Sequence, residues 1–120
     1  MSFSVNTRKA GGVIMVTISG RLTAGEPALR LRDTIRQFLA DGNVKFAINL
    51  ADVSYIDSSG LGELVTTYTT VRKAQGDVKL VKLTARVKDL LQMTKLLTVF
   101  DIYEDEQKAI AALTSAAAHG

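Results

Sequence analysis

The period of the apolar residues changes several times along this chain, and each change marks a switch between strand and helix. Phe3 and Val5 lead into Asn6–Lys9 with strand-like alternation, and Gly11-Gly12 then signals a turn. Val13-Ile14-Met15-Val16-Thr17-Ile18 follows as a stronger strand, so the two predict an N-terminal hairpin whose loop is longer than two residues. Gly20 ends the second strand, and Arg21–Glu26 reads as a polar loop. Pro27 then stands in the first turn of a helix, where its missing N–H costs nothing. Leu31, Ile35, Phe38 and Leu39 form that helix's apolar stripe, and Asp41-Gly42-Asn43 stops it.

Val44–Leu50 is almost unbroken in its apolar content, the pattern of a central strand covered on both faces. Further on, Leu61, Leu64, Val65, Tyr68 and Val71 recur at spacings of three and four and predict a helix over 61–73. Thr66, Thr67, Thr69 and Thr70 favour a strand by propensity, but a strand would bury alternate residues and the apolar set does not alternate. Arg72 and Lys73 suit the negative end of the helix dipole, and Gly76 terminates it. Val78–Leu83 is a further strand, with Lys79 and Lys82 snorkelling or near an edge. Thr84 caps a helix with the stripe Val87, Leu90 and Leu91, and Val99–Tyr103 makes a short strand. Glu104-Asp105-Glu106 opens the last helix, which turns Ala109, Ile110 and Leu113 inward, and Thr114–Gly120 is a small-residue tail expected to fray. The order predicts an α/β fold: a mixed sheet, with an N-terminal hairpin and then parallel strands, packed by about four helices.

Composition narrows the class without choosing a function. A chain of 120 residues suits one domain, residues 1–120, with 114–120 as a flexible tail. Its 47% hydrophobic and 22% charged residues are ordinary for a folded domain. The 15 basic and 12 acidic residues leave a net charge of +3, and no run of basic residues favours direct nucleic-acid binding. Cysteine is absent, which excludes disulfides and thiolate metal sites. No apolar run reaches the roughly 18 residues of a membrane span, and the N-terminus lacks a signal-peptide profile. A cytoplasmic location, with no membrane span and no cofactor, is therefore expected.

Candidate chemistry concentrates in Asp57-Ser58-Ser59-Gly60-Leu61-Gly62, which lies between the central strand and the threonine-rich helix. A helix start carries backbone N–H groups without intrahelical partners, and Asp57, Ser58 or Ser59 can each cap them. Gly60 and Gly62 remove bulk, so another backbone or a ligand can come close. These residues alone fit a plain N-cap in a tight turn as well as a functional site. Serine catalysis is disfavoured. Neither serine has the glycine two residues before it that a nucleophile elbow requires, and the only histidine is His119, next to the chain's end. Gly60-Leu61-Gly62 also lacks the length and the lysine of a phosphate-cradling loop. Asp52 and Asp57 read as capping or solvated loop carboxylates rather than an acid/base pair. The chain reads as a protein acted upon, not an enzyme.

The longer stretch from Asn49 to Gly62, with Asp57-Ser58-Ser59-Gly60 at its centre, resembles the signature of bacterial anti-sigma factor antagonists, members of the STAS domains. The resemblance extends over nearly the whole chain and agrees with a mixed sheet packed by helices. It implies that Ser58 is the phosphoacceptor and that Thr23, Asp57, Ser59, Gly60 and Leu61 shape a partner-binding surface around it. It implies two partners: an anti-sigma factor that is also a serine kinase, bound by the unphosphorylated form, and a serine/threonine phosphatase that resets it. The alternative is a STAS subunit of a transporter or larger signalling complex that is not regulated by phosphorylation. One stretch departs from the family's pattern. Gly20-Arg21-Leu22-Thr23 stands where Gly-Glu-Leu-Asp is common, which makes the local field more positive.

Overall fold

In the computed structural model the backbone is described over residues 3–119 and the side chains over residues 3–115. Strand β1 (Ser4–Ala10) turns at Gly11-Gly12 into β2 (Val13–Leu22), and helix α1 spans Glu26–Ala40. Strand β3 (Lys45–Ile56) leads into α2 (Ser58–Lys73), β4 (Asp77–Val81) into α3 (Ala85–Met93), and β5 (Asp101–Tyr103) into α4 (Glu106–His119). The sheet order is β1-β2-β3-β4-β5; β1 pairs antiparallel with β2, and every later pair is parallel. This is the expected mixed sheet with an N-terminal hairpin, but the hairpin loop is only the two residues Gly11-Gly12, shorter than expected. Ala10 already pairs with Val13, and the positive φ of both glycines (60° and 83°) lets two residues close the turn. Of the tail expected to fray, Thr114 and Ser115 belong to α4, while the side chains of residues 116–120 lie outside those described.

The pleat sends alternate residues of β2 to opposite faces. Ile14, Val16 and Ile18 join Leu31 and Ile35 of α1, Leu64 and Val71 of α2, and Val87 and Leu91 of α3 in one cluster. Val13 and Met15 join Ala47, Val81, and Ala109 and Leu113 of α4 in a second. Both faces of the sheet are therefore covered, which is why the middle of β3 needs no polar alternation. Leu64 is fully buried, while Val65 and Tyr68 pack against the same core, so α2 turns its apolar stripe to the sheet. Leu64→Ala should lower stability by about 2–5 kcal/mol in chemical denaturation. A midpoint that stays put would mean the stripe faces elsewhere.

Two strands run further than the apolar pattern suggests. β2 passes through Gly20 to Leu22, with register shifts at Thr17/Ser19 and Gly20/Arg21 and a φ of 95° at Gly20. A positive φ of that size at a bulge is what glycine permits. β3 continues from Leu50 to Ile56, although β4 pairs with it only as far as Asn49. Beyond that point β3 has β2 alone as neighbour, with Ser19 opposite Asp52, Arg21 opposite Tyr55 and Leu22 opposite Ile56. Asp52 and Ser54 are exposed and Val53 and Ile56 buried, so polar residues taken for a loop are the outer face of a two-stranded ribbon. That ribbon carries the Asp-Ser-Ser-Gly segment.

Polar residues inside the sheet are paired. Asn49, buried in β3, donates from Nδ2 to Glu106 at the start of α4 (2.7 Å), and its Oδ1 accepts the Ala51 N–H. Lys79 does not snorkel: it is buried in β4, an interior strand, and bridges Asp77 at 2.9 Å and Asp101 at 2.6 Å. Between α1 and α2, buried Glu63 accepts from Nε and Nη2 of Arg32 at 3.2 and 2.9 Å.

Candidate functional site

The site begins where β3 ends. Asp57 takes an extended conformation (φ −98°, ψ −178°) and is the N-cap of α2. Its Oδ1 accepts the Gly60 N–H at 2.7 Å, and its Oδ2 accepts the Ala24 N–H at 3.1 Å. Its own N–H donates to the Leu22 carbonyl at 3.3 Å, and its carbonyl accepts the Leu61 N–H at 2.9 Å. Of the three residues able to cap, aspartate does so, and α2 begins at Ser58 rather than Leu61. Ser58 and Ser59 are thus the first two helical residues, both exposed. A β-region residue with a short acceptor is what this position selects, and it leaves the serine hydroxyls out of the cap.

Beneath them the turn is tightly packed. A Cβ at Gly60 would fall well inside 3.0 Å of the Leu22 carbonyl oxygen, whereas one at Gly62 would meet nothing within 4 Å. The close approach anticipated for the glycines is therefore Gly60 against the backbone of β2, while Gly62 faces open space. Leu61 is buried in the main core. Ser58 and Ser59 stand on a platform made of Gly60, Leu61 and the end of β2.

The β2–α1 loop closes the other side. Thr23 is half-buried and its carbonyl accepts the Ala28 N–H at 3.1 Å, in the first turn of α1. Arg21, expected in a loop, belongs to β2, and its guanidinium lies 4.4 Å from the centre of the Tyr55 ring. Structure thus brings Thr23, Asp57, Ser58, Ser59, Gly60 and Leu61 to one end of the ribbon, with Gly60 and Leu61 supporting from below. Sequence reasoning passed over Tyr55 and the groove it lines with Ile56, Arg86, Asp89, Leu90 and Met93. Met93 is 80% exposed there, and no helical periodicity marks such a residue as unburied.

The Gly60 N–H above all holds the Asp57 carboxyl below the usual 3.8 of aspartate; burial opposes it, and the Ala24 N–H adds a smaller lowering. A folded-state pKa below the unfolded one adds stability that is complete above the unfolded value and is lost as pH falls through the folded value. Asp57→Ala should cost about 0.5–2 kcal/mol at pH 7, the usual worth of an N-cap. The difference from the unsubstituted protein should shrink below pH 4, and denaturation curves at several pH values would show it. A difference independent of pH would mean the carboxylate's charge has no part in the cap. Among the described residues no group of three His, Cys, Asp or Glu side chains is placed to hold a metal ion. No helix among them is long and apolar enough to cross a membrane.

A STAS domain model matches residues 4–109, which takes in the whole ribbon and the Asp-Ser-Ser-Gly turn. The chain belongs to the STAS domain family. The anti-sigma-B factor antagonist of Bacillus subtilis is 35% identical over 103 residues, 85% of this chain and 92% of that protein. A crystal structure of an anti-sigma factor antagonist from Mycobacterium paratuberculosis superposes with a TM-score of 0.80 at 25% identity, covering 94% of this STAS domain and 95% of that chain. The fold is shared as well with SpoIIAA, solved unphosphorylated (TM-score 0.70, 17% identity, 94% of this chain and 98% of that one) and phosphorylated (0.72, 18%, 92% and 98%). These relatives are named as regulators, not enzymes.

Proposed function

We propose that this STAS domain is an anti-sigma factor antagonist switched by phosphorylation at Ser58. Unphosphorylated, it binds an anti-sigma factor that is also a serine kinase, and the sigma factor is freed. The kinase transfers the γ-phosphoryl group of ATP to Ser58 Oγ, the hydroxyl proton leaves to a base of the kinase, ADP is released and the complex dissociates. A metal-dependent serine/threonine phosphatase hydrolyses the ester and restores the binding form. The single observation that carries this is the geometry at the start of α2. Ser58 is exposed, outside the cap and at the rim of a rigid turn, where a hydroxyl can enter another protein's active site. Ser59 is equally exposed, and local physics does not choose between them. Resemblance of Asp57-Ser58-Ser59-Gly60 to the family's motif is what favours Ser58.

Incubation with ATP and the kinase purified from the source cell tests this. Phosphopeptide mapping should find phosphate on Ser58, and phosphate on Ser59 alone would overturn the assignment. A stable partner complex that never acquires phosphate would favour the unregulated transporter or signalling subunit instead.

Arg21 and Thr23 should set which kinase is recognised. Arg21 presents its charge beside Tyr55 at the edge of the site, and Thr23 precedes the residue tied to Asp57. Arg21→Glu with Thr23→Asp should change stability by no more than about 1 kcal/mol, since the guanidinium's stacking is an exposed one. Affinity for the native kinase should fall, more at low salt than at high, because exposed charges are screened. Unchanged affinity at both salt levels would place this edge outside the interface.

A further inference from the structure

The Asp57 carboxylate joins two parts of the chain that are 33 residues apart, one through each oxygen. One oxygen holds Gly60 within its own helix at 2.7 Å, the other holds the exposed Ala24 at 3.1 Å. The Ala24 side is the weaker hold, since it is longer and reaches into a loop that has few other ties. Gly25, the N-cap of α1, gives that helix no side-chain cap, and its φ of 87° marks a turn that only glycine adopts readily. The Gly60 side is fixed by the geometry of the helix itself. Ser58 follows Asp57 directly, so phosphate on its hydroxyl would put a dianion beside a carboxylate that has no cationic partner among its hydrogen-bond donors. Like charges so placed disfavour one another, and the hold that yields first is the longer one, to Ala24.

We propose that Asp57 is a positioning residue that relays the state of Ser58 to the β2–α1 loop: phosphate on Ser58 makes the carboxylate give up Ala24 while keeping Gly60. The loop of Thr23, Ala24 and Gly25 then loosens, and with it the first turn of α1. A partner therefore meets two changes, a charge at Ser58 and a loop that no longer holds its shape. This rests on Ser58 being the phosphoacceptor proposed above.

The test needs no kinase. Phosphoserine is built into position 58 during translation, and amide hydrogen exchange is followed by NMR in the full chain. The Ala24 amide should exchange about tenfold faster in the phosphoserine protein, as suits loss of a hydrogen bond to a charged acceptor. Gly60 and the sheet amides of Ile48 and Leu80 should stay as protected as before. Asp57→Asn isolates the relay, because an amide keeps one oxygen for Gly60 and turns an NH2 group toward Ala24. In that variant Ala24 should exchange fast already, with no further change from phosphoserine. Ala24 protection unaffected by phosphate in the parent protein overturns the relay, and so does an equal acceleration in Asp57→Asn, which would mean the phosphate acts on the loop directly. A native kinase that leaves Ser58 unmodified would defeat the proposed function and leave these exchange rates standing.

Discussion

Gly60→Ala should be among the most damaging single-methyl changes in this chain, alongside Gly76→Ala, whose added carbon would meet the Val44 carbonyl as closely. The added carbon would collide with the carbonyl of Leu22, a backbone group held by pairing with β3, not a side-chain end that can swing away. Relief requires moving α2 off the sheet or breaking the end of the β2–β3 ribbon. Either movement disturbs Leu61 and Leu64, both in the core. Overpacking of a core by methylene-sized groups costs about 1–3 kcal/mol, and a rigid backbone on the receiving side puts this case at or above about 3 kcal/mol. For a chain of this size that is a fall in Tm of roughly 10 °C. Gly62→Ala is the control, two residues on in the same helix and facing open space. It should be neutral or stabilising by up to about 1 kcal/mol, since alanine favours a helix over glycine by that amount. Equal melts for the two variants would show that the close approach is not real.

Phosphate on Ser58 should abolish partner binding while leaving the domain folded. It adds about −1.5 to −2 charges at an exposed residue in the first turn of α2. The positive end of a helix favours such charge by roughly 0.3–1 kcal/mol, and the adjacent Asp57 opposes it, so the change in stability should stay within about 1 kcal/mol. The partner meets a different surface. Burying the new charge without a counter-ion costs several kcal/mol, and about 3–4 kcal/mol already weakens binding a few hundredfold. Ser58→Asp should reproduce part of this loss. Ser58→Ala should bind the kinase and stay bound when ATP is added. A melt lowered by many degrees, or amide shifts spread across the sheet, would mean instead that the domain refolds.

Most of the architecture was legible because each element has a clear period. The threonine-rich α2 is the sharpest case. Propensity argued for a strand, but Leu61, Leu64 and Val71 at helical spacing were all to be buried, and they are. Thr84 as the cap of α3 was likewise visible, and its hydroxyl accepts the Val87 N–H. Strand ends were harder to read. Asp52 and Ser54 look like loop residues, but a ribbon with one solvent face takes polar side chains at alternate positions, and nothing local separates the two cases. The site's chemistry was legible as a motif and its construction was not. Which of Asp57, Ser58 and Ser59 caps α2 depends on the approach of Ala24 and Leu22, both more than 30 residues away in sequence. The burial of Glu63 depends in the same way on Arg32 of another helix. Long-range pairings of this kind leave no periodic trace.

Whether Ser58 acts as the switch is decided by a single time course. A purified complex of this STAS domain with the serine kinase proposed as its partner is mixed with ATP, and phosphate on Ser58 and the fraction still bound are followed together. Release should track Ser58 phosphorylation, Ser58→Ala should remain bound with Ser59 unmodified, and phosphatase treatment should restore binding. Dissociation of the Ser58→Ala complex at the parent's rate, or a parent complex that stays intact once Ser58 is fully phosphorylated, would contradict the account.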